Sequence, residues 1–257
     1  MNTSQSYAES ASAPPLATRS AVFAYSVIAY AIGMAAIVWL IACLAGLCPL
    51  VAPPLQTHST TGAALVDVGL LILFGLQHSI MARRGFKDWW TRWIAPAAER
   101  STYVLTSGIA LGALLWLWQP IEGTVWSVSE PTARIALWAL FAAGWLYLVA
   151  ATYVTSHYDL FGLRQGWYYL RGKPYTPVPF VRSWMYRYSR HPMMAGILVG
   201  IWATPQMSAT HLVLAFGFSA YIAIGVAFEE RGLLAHFGEQ YLHYRTEVGA
   251  LLPRFRG

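Results

Sequence analysis

Residues Met193–Phe228 read MMAGILVGIWATPQMSATHLVLAFGFSAYIAIGVAF, 36 positions in a row without Asp, Glu, Lys or Arg. As one helix rising about 1.5 Å per residue the run would be about 54 Å long, against a bilayer hydrocarbon core roughly 30 Å thick. Thr204-Pro205-Gln206 interrupts it, with about 11 residues before the break and about 20 after it. Proline ends helices because it lacks the backbone N–H and clashes with the preceding turn. The spacing therefore predicts a helix-turn-helix hairpin that enters and leaves the membrane on one side.

Upstream, four more apolar runs reach the length of a crossing: one starting near Ala21, then Gly62–Ala82, Ser101–Gln119 and Thr132–Thr155. Pro49, Pro53-Pro54, Pro96, Pro120 and Pro131 stand between or beside them, where helices should stop. Of the 257 residues, 57% are apolar and 11% charged, whereas soluble domains carry about 25% charged residues. The chain reads as an all-α polytopic membrane protein with four full spans, a C-terminal hairpin and a cytoplasmic cap. Its expected parts are a disordered tail (1–20), transmembrane helices (21–155), a connector (156–192), the hairpin (193–228), and an amphipathic cap helix with its tail (229–257). No signal peptide is expected, since a charged leading segment is missing and the first apolar run is too long.

The charges orient these parts. Of 17 Lys and Arg residues, 16 fall before the first run, between the second and third, between the fourth and the hairpin, or after the hairpin, and only Arg134 falls on the other side. The positive-inside rule places those loops and both termini in the cytoplasm, and the hairpin preserves the parity. Membrane topology explains the net charge of +6 better than nucleic-acid binding does. Cys43 and Cys48, five apart in the first run, read as small apolar filler and not as a disulfide or metal cluster.

Chemistry concentrates after the fourth span. His157 and Asp159 are two apart where a span meets water. They are either solvated cap groups or a general base with its partner. Tyr188, Arg190, His191 and Pro192 precede the hairpin, with Pro192 suited to a first helical turn. A helix start beside Arg and His attracts carboxylate or phosphate, although an interfacial Arg/Tyr belt reads equally well. Glu229 and Glu230 end the hairpin, where carboxylates are costly unless paired or used, and Arg245 is an available partner. From there Leu234, Phe237, Tyr241, Tyr244, Val248 and Leu251 recur at helical spacing. His78, near the inner end of the second span, is a functional suspect or a helix-to-helix hydrogen bond. Glu99-Arg100-Ser101-Thr102 reads first as a helix start.

Taken together, Arg190-His191-Pro192, Glu229-Glu230-Arg231-Gly232 and Phe237-Gly238-Glu239-Gln240-Tyr241-Leu242-His243-Tyr244 resemble the isoprenylcysteine carboxyl methyltransferase superfamily. Its pattern runs RHPxYxG, EE, FGxxYxxY and a late proline, here Pro253; this chain departs at Met194, where the pattern has Tyr. Gln77-His78-Ser79-Ile80-Met81-Ala82-Arg83, Glu99–Leu105 and His157–Gln165 look like the bacterial methanethiol S-methyltransferase branch, and denitrification-associated membrane proteins share parts of these segments.

That resemblance implies methyl transfer from S-adenosyl-L-methionine to methanethiol, giving dimethyl sulfide, in a bacterial inner membrane. It implies a cofactor site built from Tyr188, Arg190, His191, Pro192, Glu229, Glu230, Tyr241, Tyr244 and Arg245. The catalytic candidates are Asp159 as base, His157 or His78 as relay, and Arg83 to stabilise the thiolate. The expected partners are a small thiol and the lipid bilayer. Two other classes stay open on sequence: an NADPH-dependent reductase of sterol-reductase-like architecture, and a non-catalytic scaffold or transporter.

Overall fold

The computed structural model describes residues 14–47, 57, 59–178 and 184–253, without the side chain of His236. The readings placed on residues 1–13, Cys48, Pro49, Pro53-Pro54, Arg182, Arg254 and Arg256 lie outside the described residues.

The long helices are α1 (Leu16–Leu44), α2 (Thr60–Ala82), α4 (Glu99–Leu117), α5 (Pro131–Thr155) and α9 (Ala209–Phe237). Shorter ones are α3 (Arg84–Trp90), α6 (His157–Leu160), α7 (Leu163–Leu170), α8 (Pro192–Trp202) and α10 (Glu239–Glu247). Their starts follow local chemistry. Ser59 and Ser208 accept backbone N–H bonds at the heads of α2 and α9, and Glu130 does so ahead of Pro131. Helix α1 begins at Leu16, directly behind Pro15, and so includes Arg19, which sequence reading assigned to a tail. Arg19 Nη1 donates to the carbonyl of Leu170 at 3.3 Å, at the C-terminal end of α7, where a cation is favoured.

Among the described residues, four helices are long and apolar enough to cross a membrane: α1, α2, α5 and α9. Helix α4, at the third expected span, has 19 residues and is less apolar. Ser101, Thr102 and Gly108 on it are buried against neighbouring helices, so it need not be apolar all round. Close crossings between helices use glycine. A Cβ on Gly144 of α5 would stand 2.6 Å from the Gly200 nitrogen of α8, and one on Gly108 of α4 would stand 2.9 Å from the Gly33 Cα of α1.

The hairpin is uneven. Helix α8 has 11 residues and α9 has 29. Between them lies a short strand, β2 (Gln206–Ser208), paired antiparallel with β1 (Thr124–Ser127) from the α4–α5 loop. This ribbon, with Trp126 Nε1 donating to the Thr204 carbonyl at 3.0 Å, ties the hairpin turn to the bundle end away from most basic residues. At the other end α9 does not stop at Phe228 but continues through Glu229 and Glu230 to Phe237. The break comes at Gly238, whose φ of +55° is accessible to glycine, and α10 follows.

Candidate active site

At the end of the bundle where α2, α5 and α9 finish and α4 and α8 begin, the helices and the segment 173–178 line a half-open cavity of about 870 Å³. One wall belongs to α8, α9 and α10 and is built around a buried ion pair. Arg190, ahead of α8, donates from Nε to Glu230 Oε1 at 2.7 Å, with side-chain exposures of only 8% and 12%. His191 Nε2 lies 3.3 Å from the same oxygen, His191 Nδ1 lies 3.5 Å from Glu229 Oε2, and Arg245 Nε lies 3.4 Å from Glu230 Oε2. The guanidinium of Arg190 also donates to the carbonyls of Arg245 and Val248. The chain after α10 lies alongside, since the backbone N–H groups of Arg190 and His191 donate to the Gly249 and Ala250 carbonyls at 2.9 and 3.0 Å.

Pro192 is buried as the first residue of α8. Tyr241 and Tyr244, one helical turn apart on α10, turn inward with ring centroids 5.9 Å apart. Tyr244 Oη donates to the Tyr186 carbonyl at 2.6 Å, and Tyr186 Oη shares a hydrogen bond of 2.8 Å with Thr155 at the end of α5. Burial, with the nearby negative charge of Glu230, pushes the Tyr241 phenol above its ordinary range, so it stays neutral.

The opposite wall is the α5–α6–α7 corner. Ser156 (φ +96°) and Gly162 (φ +86°) take left-handed conformations that turn α6 between its neighbours. A Cβ on Gly162 would meet Ser101 Oγ at 2.5 Å, which accounts for glycine there. Asp159 borders the cavity. Its Oδ1 accepts from Arg164 Nη1 at 3.1 Å and from Tyr175 Oη at 2.9 Å, while its Oδ2 has no hydrogen-bond partner among the described residues. Burial and the contact with Asp159 push the Tyr175 phenol up to about 12, so it remains a donor at any physiological pH.

The remaining sequence-chosen residues lie apart from this cavity. His157 is buried, with Nε2 at 2.9 Å from Tyr30 Oη and Nδ1 at 2.8 Å from Thr152 Oγ1. Thr152 gives its own proton to the Val149 carbonyl, so Nδ1 donates, and burial, which lowers the His157 pKa, favours the neutral ring whose Nε2 accepts from Tyr30. His78 likewise meets Tyr103 Oη at 2.6 Å and Ser107 Oγ at 3.1 Å. Arg83 is exposed, with its guanidinium 5.1 Å from the Phe228 ring centroid. Tyr188 is 62% exposed.

Several polar groups escaped the sequence reading. Lys87, Glu99, Arg100, Gln165, Tyr175 and Tyr186 all border the cavity. Lys87 Nζ faces Glu99 Oε1 at 3.7 Å. Far from it, Asp67 of α2 is fully buried and accepts the Gln119 backbone N–H at 2.7 Å. A lone carboxylate inside an apolar run was the available signal for it.

The family described as NnrU protein matches residues 68–247. A methanethiol S-methyltransferase from Mycobacterium tuberculosis is 50% identical over 191 residues, covering 74% of this chain and 78% of the relative. Methanethiol S-methyltransferase 1 from Bradyrhizobium diazoefficiens is 38% identical over 234 residues, covering 90% and 81%. More distantly, human nurim is 29% identical over 187 residues, covering 70% and 71%. No solved structure matches the chain.

Proposed function

The chain belongs to the NnrU protein family, and from that premise we propose that it is an integral membrane methyltransferase that moves a methyl group from S-adenosylmethionine to methanethiol, giving dimethyl sulfide. Similarity to methanethiol S-methyltransferases of 38–50% identity supports the class. The observation that carries the reading is one cavity bordered both by the Arg190, Glu229, Tyr241 and Tyr244 wall and by Asp159. We take the basic end to face the cytoplasm of a bacterial inner membrane, as the charge asymmetry argues.

The residues fit the methyl donor. Two buried polar atoms on cavity-lining residues, Tyr241 Oη and Gln165 Oε1, lack a hydrogen bond of good geometry among the described residues. Such atoms are costly unless a ligand or water meets them. S-adenosylmethionine, when bound, supplies an electrophilic methyl group on a sulfonium sulfur. Glu229, 52% exposed on the cavity wall, provides a carboxylate for an ammonium group. Tyr241 and Tyr244 provide an aromatic slot for a purine. Arg190, locked by Glu230 and by the carbonyls of Arg245 and Val248, fixes the positions of these groups.

In this reading Asp159 Oδ2 takes the thiol proton while Arg164 and Tyr175 hold the carboxylate in place through Oδ1. The electron pair left on the thiol sulfur forms the new S–CH3 bond, and the pair of the breaking C–S bond stays with the donor sulfur. Placement in line and exclusion of water supply the acceleration. His157 and His78, each with both ring nitrogens engaged by hydroxyls, hold α6 and α2 against their neighbours in place of relaying a proton.

The test is to supply the purified protein, in lipid nanodiscs, with methyl-tritiated S-adenosylmethionine and methanethiol. The expected result is tritium in volatile dimethyl sulfide, dependent on both substrates. Absence of labelled thioether, with consumption of NADPH when that is supplied instead, would overturn the reading in favour of a reductase.

A further inference from the structure

Four arginine and lysine groups border the cavity, Lys87, Arg100, Lys173 and Arg190, and among the described residues Arg100 and the exposed Lys173 are the two without an ion pair. Lys87 faces Glu99, and Arg190 is closed on Glu230. Among the described residues no carboxylate oxygen lies within ion-pair distance of Arg100. Its Nε donates to the Leu160 carbonyl at 2.6 Å, and its guanidinium carbon stands 5.0 Å from the centroid of the Tyr103 ring. A neutral carbonyl and an aromatic face hold the guanidinium without cancelling its charge. The two terminal nitrogens keep their N–H donors without a protein acceptor among the described residues, in a fork suited to an anion.

Leu160 follows Asp159 directly in the chain, and Arg100, Asp159 and Leu160 all border the cavity. The ion pair of Asp159 is made with Arg164, so the Arg100 charge and the Asp159 carboxylate stand at one corner without neutralising each other. Arg100 also lies in the first turn of α4, whose backbone N–H groups have no side-chain cap and whose positive end adds to its field. A proton acceptor beside an uncommitted cation is what ionising a weak acid requires, because an opposite charge within about 4–6 Å favours the anion.

We propose that Arg100 holds the thiolate form of the methyl acceptor, with Asp159 beside it; this rests on the methyl-transfer reading. The S–H bond breaks with both electrons staying on sulfur, the proton goes to Asp159 Oδ2, and the resulting anion lies against the Arg100 terminal nitrogens. From there the sulfur lone pair forms the bond to the transferred methyl carbon. Product carries no charge, so it is released by the same fork that held its precursor. Arg83, outside the cavity, does not serve this role.

The shared chemistry is an anion in the fork, and the methyl donor's own carboxylate is the other source. Turnover of Arg100→Gln and Arg100→Lys with methanethiol and with the more acidic trifluoroethanethiol at pH 7, together with calorimetric titration of S-adenosylmethionine, separates the two. The expected result for Arg100→Gln is a loss on the order of 100-fold in kcat with methanethiol, a markedly smaller loss with trifluoroethanethiol, and unchanged donor affinity. Arg100→Lys, which keeps the charge, should regain part of the rate. A fall of about tenfold or more in donor affinity would assign the fork to the carboxylate and overturn the proposal, as would equal losses with both thiols or full activity. If the wild type methylates neither thiol, the methyl-transfer reading itself fails; if it does and only the Arg100 pattern is wrong, that reading stands.

Discussion

Arg190 Nε meets Glu230 Oε1 at 2.7 Å across 40 residues of sequence, and through this contact the start of α8, the end of α9 and the chain after α10 become one wall. The two groups are almost out of water, so their pairing is tightly coupled to the shape of the cavity. Removing one member of a buried pair leaves the other charge unmatched, an effect of about 3 kcal/mol or more.

Glu230→Gln should therefore lower stability by about 3 kcal/mol and weaken binding of the methyl donor, because Arg190 loses its fixed position. Thermal unfolding in detergent and calorimetric titration check both. Glu239→Ala, at the exposed start of α10, should change neither.

The α5–α8 crossing should be intolerant of bulk. Gly144→Val places a Cβ 2.6 Å from the Gly200 nitrogen, which is backbone and cannot swing aside. We expect a loss of at least about 2 kcal/mol, read as a lowered thermal midpoint. In Gly225→Ala, where nothing stands within 4 Å, the change should range from neutral to a gain of about 1 kcal/mol.

His157 should make stability depend on pH. Burial lowers its pKa from 6.5, and its Nε2 already accepts from Tyr30, so the folded protein refuses a proton that the unfolded chain binds. This contribution is intact above the unfolded value and drains away as pH falls below it. Thermal midpoints measured from pH 7.5 down to 5.5 should fall, and His157→Gln should flatten the slope. An identical slope in the variant would assign the effect to other histidines.

Much of the fold was legible because its signals are local. The break at Thr204-Pro205-Gln206 and the starts at Pro131 and Pro192 need only backbone chemistry, and the apolar runs need only length. Helix α9 passed its expected end because Glu229 and Glu230 are good helix formers that find partners across the fold, and the stop waited for Gly238. The β1–β2 ribbon went unseen since strands of 4 and 3 residues carry no pattern. Arg190 and Glu230 stood out as motifs. Arg100 did not, because a charge in the first turn of a helix is ordinary, and its lack of a carboxylate partner is a property of tertiary structure. Nor does the sequence disclose that both nitrogens of His157 and of His78 are occupied, since Tyr30, Thr152, Tyr103 and Ser107 are scattered along the chain.

We propose that Asp159 acts on the thiol while the Arg190–Glu230 wall holds the methyl donor. A simple alkanethiol is a weaker acid than a free cysteine side chain, whose pKa is about 8.5, so little of it is ionised at pH 7 without help. The most direct measurement is turnover of Asp159→Asn with methanethiol from pH 7 to pH 10, alongside its affinity for S-adenosylmethionine. The variant should keep wild-type affinity, lose most turnover at pH 7, and recover rate as the free thiol ionises by itself. Lost donor affinity, or full turnover across the whole range, would contradict it.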